Sequence, residues 1–272
     1  MSRYRRFRPL LLSAVIIACR IVDAAEPAAE DISFIAESDK TEQRYVRILP
    51  AQYSREAKHD VLIALHGHGS DRWQYIKEAR GECRSARDVA VKYRMIFVSP
   101  DYRARTSWMG PRAESDLIQI IADLKKQHTI NRVFLAGGSM GGTSVLTFAA
   151  LHPDLVAGVA SMNGTANLLE YTQFQDAIRD SFGGTKIEIP DEYKRRSAEY
   201  WPERLTMPVG MTTGGRDTLV PPGSVERLAN VLKLLNRPVL LIRRDATGHE
   251  TNYEDSLAIL EYVITTANRP GP

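Results

Sequence analysis

Cysteine is nearly absent from this chain: Cys19 and Cys83 are the two among 272 residues. A disulfide-stapled scaffold is therefore excluded, and a core of ordinary apolar packing must hold the fold. Charge of one sign is also missing. The formal net charge is +3, but residues 1–24 hold five arginines (Arg3, Arg5, Arg6, Arg8, Arg20) against Asp23. The remaining chain carries 31 basic and 32 acidic residues, so the basic balance belongs to the N-terminus and gives no nucleic-acid-binding face. Internal repeats, low-complexity segments and apolar runs of membrane-spanning length are absent too. Apolar residues at 43% and charged residues at 25% are ordinary for a globular protein.

The N-terminus reads as an export signal. Basic residues fill positions 1–8, Leu10 to Ala18 is apolar, Ile21 and Val22 extend the run, and Val22-Asp23-Ala24-Ala25 offers small residues for cleavage. The expectation is a signal peptide over residues 1–24, cut after Ala24, and a secreted or periplasmic product. Ile16-Ile17-Ala18-Cys19 resembles a loose bacterial lipoprotein box in which Cys19 would be lipidated; Arg20 and the apolar residues after it argue against that alternative. A membrane partner is expected only if Cys19 is lipidated or the signal stays uncleaved. After cleavage Cys83 is a lone thiol, and no motif surrounds it.

What is present is an alternation of short apolar runs with helical patterns. Tyr45–Leu49, Val61–Leu65, Met95–Val98, Arg132–Ala136, Val156–Ala160, Val209–Met211 and Val239–Ile242 read as strands. Most are continuous rather than alternating, the mark of strands covered on both faces. Ser115–Lys126, Gly142–Leu151, Ser224–Leu235 and Tyr253–Thr266 carry apolar residues at helical spacing. The alternation predicts an α/β class with a mostly parallel sheet and helices on both faces. Asn163–Pro208 is too long for a loop and predicts an insertion with short helices of its own.

One segment carries chemistry. Gly137-Gly138-Ser139-Met140-Gly141 fits G-x-S-x-G between a predicted strand and a predicted helix. A serine on such a turn is strained with Oγ exposed, and the helix N-terminus favours a developing oxyanion. Of six histidines (His59, His66, His68, His128, His152, His249), His249 follows the last predicted strand, and Asp217 follows the one before it. Loops at the C-terminal edge of a parallel sheet are where such a sheet assembles its site. The order Ser139, Asp217, His249 supplies nucleophile, acid and base. The backbone N–H of Met140 is one candidate oxyanion donor. The loop His66-Gly67-His68-Gly69 offers the other, the N–H of His68, with the His66 side chain bracing the loop.

These motifs resemble the α/β-hydrolases: Leu65-His66-Gly67-His68-Gly69, Gly137-Gly138-Ser139-Met140-Gly141-Gly142, Gly214-Gly215-Arg216-Asp217 with Val220-Pro221, and Gly248-His249. The likeness is to prolyl oligopeptidase catalytic domains and to secreted feruloyl and acetylxylan esterases. It implies a single domain over 25–272 with an insertion at about 163–208. It also implies a serine hydrolase working through an acyl-enzyme, with no cofactor and no metal. The expected substrate is a small-molecule or carbohydrate-linked ester. Peptidases of this family commonly add a propeller domain, which the about 20 residues between the expected cleavage site and the first predicted strand cannot encode, so ester cleavage is favoured over peptide cleavage. Tyr171, Phe174, Phe182, Tyr193, Tyr200 and Trp201 of the insertion, with Tyr102 and Trp108, are candidates to line an acyl pocket, although packing explains any one of them as well. Other readings are a non-catalytic binding protein on this fold, an acyltransferase, and a zinc site at His66-Gly67-His68-Gly69-Ser70-Asp71, whose spacing fails because Asp71 is one position late and Arg72 stands where the last histidine belongs.

Overall fold

The computed structural model describes Met1, residues 28–103 and residues 105–268. The expected leader, with Cys19, lies outside the described residues. Among those described, no helix is long and apolar enough to cross a membrane.

The run Val61-Leu62-Ile63-Ala64-Leu65 shows how the sequence builds the fold. It forms most of β3 (His59–Leu65). Alternate side chains of a strand leave opposite faces. Val61, Ile63 and Leu65 enter one core, while Leu62 and Ala64 enter the other. β4 (Ile96–Pro100) and β5 (Ile130–Gly138) divide their apolar residues in the same way. A run that is apolar throughout is therefore a strand buried on both faces, each large side chain contributing about 1.5–3 kcal/mol on burial.

With β1 (Ala29–Ile35), β2 (Glu42–Ile48), β6 (Gly158–Met162), β7 (Val209–Gly214) and β8 (Val239–Arg244), these make an eight-stranded sheet of order β1-β2-β4-β3-β5-β6-β7-β8. Strands β3 to β8 are mutually parallel, and β1 and β2 run antiparallel at one edge. One face carries α3 (Pro111–Gln127), α4 (Met140–Leu151) and α7 (Gly223–Leu234). The other carries α1 (Gln74–Lys77), α2 (Gly81–Lys92) and α8 (Tyr253–Ala267).

Strand β1 and helices α1 and α2 go beyond the sequence reading. β1 is an edge strand with mostly exposed residues, so it lacks the apolar run that marked the others. The segment Asn163–Pro208 does hold short helices, α5 (Gln175–Phe182) and α6 (Pro190–Arg195), with two 3-10 turns. It is pinned by Arg196, whose buried guanidinium donates to Glu114 Oε2, Glu192 Oε1 and the Met109 carbonyl oxygen, each at 2.7 Å. Thr147 of α4 donates to the Arg196 carbonyl oxygen at 2.7 Å.

Candidate active site

Ser139 sits between the end of β5 and the start of α4 with φ 57° and ψ −119°, a conformation that costs a non-glycine residue on the order of 1–3 kcal/mol. Its N–H donates to the Met162 carbonyl oxygen at 2.8 Å, which ties the turn to β6. Its side chain makes no capping bond to the helix. Gly141 is required two residues later: a Cβ there would land on the Leu65 carbonyl oxygen, so only glycine lets α4 lie this close to β3.

The structure brings the three sequence candidates together. Ser139 Oγ and His249 Nε2 are 2.9 Å apart, and His249 Nδ1 and Asp217 Oδ2 are 2.7 Å apart. With Nδ1–H donating to the carboxylate, Nε2 is left as the acceptor for the Ser139 hydroxyl. Asp217 is fixed by its own turn, because Oδ1 accepts the N–H groups of Leu219 and Val220 at 2.9 and 2.8 Å. The acid is buried, whereas about a quarter of the His249 side chain is exposed. Tyr171 covers the acid's loop and donates to the Leu219 carbonyl oxygen at 3.1 Å. Burial, reinforced by the Asp217 charge, pushes its phenol well above the ordinary range.

The His249 loop is held from two sides. Asn163 Nδ2 donates to the Glu250 carbonyl oxygen at 2.7 Å, and the Asn163 Oδ1 accepts from Thr212 Oγ1 at 3.2 Å. The Arg216 N–H donates to the Thr247 carbonyl oxygen at 2.9 Å. Sequence reasoning missed Asn163. The available signal was its place just after β6, at the same sheet edge as the other three.

The loop after β3 passes beside the serine: a Cβ on Gly67 would lie 3.9 Å from Ser139 Cβ. Among the described residues, neither the Met140 nor the His68 amide has a protein acceptor; for Met140 this is expected of the first N–H of a helix. The loop is braced internally. The Gly67 N–H donates to Gln74 Oε1 at 2.7 Å, and the Gly69 N–H donates to the Arg105 carbonyl oxygen at 2.7 Å. His66 is fully buried, with Nδ1 2.9 Å from the Gly67 carbonyl oxygen and Nε2 3.2 Å from that of Asp101. Burial lowers its basicity. The His68 ring lies against Phe174, with centroids 4.2 Å apart, and its Nδ1 accepts from Trp108 Nε1 at 3.2 Å.

The aromatic candidates divide. Trp108, Tyr102, Tyr171, Phe182 and Tyr193 are buried in packing, and Phe174 is half-buried against His68. None of them, nor Tyr200 or Trp201, lines the cavity of about 400 Å³ that opens at Ser139. That cavity is walled instead by Gln74, Tyr75, Arg80, Glu82, Asn163 and Thr251, with His249 at its rim. Five of these six come from α1, α2 and their flanks or from the His249 loop, segments whose polar sequence gave no periodic signal.

A doubly covered parallel sheet with a strained serine at a strand-to-helix turn, bonded in sequence to a histidine and an aspartate, defines a serine hydrolase of the α/β-hydrolase class. The sequence model of the prolyl oligopeptidase family matches residues 102–264, and the chain belongs to that family. Solved structures agree on the fold. FphF, a fluorophosphonate-binding serine hydrolase of Staphylococcus aureus, superposes with a TM-score of 0.69 at 16% identity, over 89% of this chain and 99% of that one. An S-formylglutathione hydrolase from Agrobacterium tumefaciens gives 0.69 at 16%, over 90% and 96%. The Pyrococcus horikoshii acylaminoacyl peptidase gives 0.66 at 18%, over 88% of this chain but 41% of its own. No curated protein sequence matches the chain.

Proposed function

We propose that the protein cleaves carboxylic esters through a Ser139 acyl-enzyme. The observation that carries this reading is the continuous hydrogen-bond chain from Ser139 through His249 to Asp217. Ser139 Oγ attacks the ester carbonyl carbon while His249 Nε2 takes its proton. Asp217 holds the imidazole in the tautomer that can accept and balances the imidazolium. The Met140 and His68 amides receive the tetrahedral oxyanion, a term worth on the order of 10²–10³ in rate for each donor. Collapse expels the alkoxide, protonated by His249. Water, deprotonated by the same imidazole, then releases the acid and restores Ser139.

A small cavity with polar walls supports a short or polar ester rather than a long acyl chain. Near-complete overlap with compact hydrolases supports the same choice. Membership of the prolyl oligopeptidase family keeps peptide cleavage as the second reading. The deciding experiment is fluorophosphonate labelling with peptide mapping, run beside p-nitrophenyl acetate and peptide p-nitroanilide turnover by wild type and Ser139→Ala. Labelling at Ser139 with ester turnover that vanishes in the variant is the expected result. Anilide turnover exceeding ester turnover would replace ester by peptide, and an unlabelled Ser139 would overturn both. We also propose export, with cleavage after Ala24; N-terminal sequencing of the protein from its native host checks it.

A further inference from the structure

The cavity at Ser139 contains two polar groups that the triad does not use. The Tyr75 hydroxyl has no hydrogen-bond partner among the described residues, and the residue is 1% exposed. A buried donor left in this state costs on the order of 1–3 kcal/mol. Glu82, 5% exposed, is the second group. Its Oε2 accepts from Thr251 Oγ1, but Oε1 has only Arg80 Nη1, at 3.7 Å, beyond hydrogen-bond distance.

These two atoms, neither of them in a hydrogen bond, converge on one place. A Cβ on Gly138, the residue before the nucleophile, would lie 3.5 Å from the Tyr75 hydroxyl oxygen and 3.9 Å from Glu82 Oε1. One wall of the cavity thus pairs a donor lacking an acceptor with an acceptor lacking a donor. A hydroxyl group fills both roles at once. A carboxylate or phosphate would meet the Glu82 charge. An ammonium would meet Arg80, which already faces the same carboxylate oxygen.

We propose that Tyr75 and Glu82 form a subsite for a neutral hydroxyl of the substrate, next to its scissile ester. The proposal rests on the ester-hydrolase reading and narrows it to hydroxylated esters. The hydroxyl comes either from the alcohol half, as in a partly acylated sugar or glycol, or from the acyl half, as in a hydroxy acid. In either case Tyr75 O–H donates to the substrate oxygen, and the substrate O–H donates to Glu82 Oε1.

The test compares matched esters, each rate divided by that ester's own alkaline hydrolysis rate to remove intrinsic reactivity. Ethylene glycol monobutyrate against propyl butyrate probes the alcohol half. Methyl 3-hydroxybutyrate against methyl butyrate probes the acyl half. In wild type the hydroxylated ester of one pair is expected to lead in kcat/KM by about tenfold or more, and the pair that shows it identifies the half. Tyr75→Phe and Glu82→Gln, both close in shape to the native residues, are expected to bring that ratio to within about threefold of one. Ratios near one for both pairs in wild type, or a preference retained by both variants, would overturn the subsite. The wild-type ratios need no variant to fold. Failure of Ser139 labelling and of all four hydrolyses would instead reject the ester reading beneath it.

Discussion

At the scale of single residues the site is a set of side chains with little freedom left. Asp217 spends Oδ1 on two amides of its own turn, so Oδ2 alone can face His249. Replacing it by Asn keeps those turn bonds and changes one thing: the amide stabilises the wrong imidazole tautomer. Asp217→Asn is expected to lower kcat on the order of 10³–10⁴-fold with the fold intact. Steady-state kinetics beside circular dichroism check this, and a loss under tenfold would remove Asp217 from the chemistry. The candidates Ser139, Asp217 and His249 stood out in the sequence because nucleophile chemistry demands fixed residue types beside glycine, here after β5, β7 and β8. Tyr75 and Glu82 did not. A lone Tyr and a lone Glu in a polar segment carry no spacing rule, and their significance comes from what α1 and α2 place beside Gly138.

At the scale of elements, the insertion is fastened to the sheet's helices by charge. Glu114 of α3 receives Arg196 at 2.7 Å, Arg195 at 3.0 Å and His152 at 2.8 Å. Burial would raise its carboxyl, but these three partners overcome it and bring the pKa from 4.5 down to about 2. A folded-state value below the unfolded one means that Glu114 stabilises the protein fully above about pH 4.5 and loses that contribution as pH falls through about 2. Glu114→Gln takes one of two carboxylates from the buried Arg196, which keeps Glu192. The expected cost is on the order of 3 kcal/mol at pH 7, shrinking as the pH approaches 2. Urea midpoints at pH 7 and below pH 3 check it; an equal loss at both would mean that charge is not the cause. Of the elements themselves, the two-faced strands announced themselves through unbroken apolar runs. β1 did not, because only Ile32 and Phe34 among its residues pack against the core. α2 did not either, since its buried face is built from Cys83, Ala86, Val89 and Ala90 amid six charged or polar neighbours.

The whole molecule excludes solvent from Cys83, which faces the core shared by α2 and α8. Burial, helped by the nearby Glu82 charge, pushes its thiol up to about 12. At pH 8 only about one thiol in ten thousand is then ionised, so native protein resists alkylation. Iodoacetamide is expected to label the Cys83 peptide over many hours in buffer and within minutes in concentrated urea. Labelling at equal rates in both would mean that this core opens without global unfolding. The same thiol thereby serves as a built-in gauge of unfolding.

The parallel strands β3 to β8 all end at the catalytic edge. Ala29 pairs with Ile48, whose partner Phe97 lies near the start of β4, so the described chain enters at the opposite edge. It also leaves there: the Ala267 carbonyl oxygen accepts from Arg132, near the start of β5. A carrier protein or resin attached at either boundary of the described residues therefore sits at the edge of the sheet opposite Ser139. The mouth at Ser139 then points away from the support, so tethering at the back leaves access to the serine unobstructed.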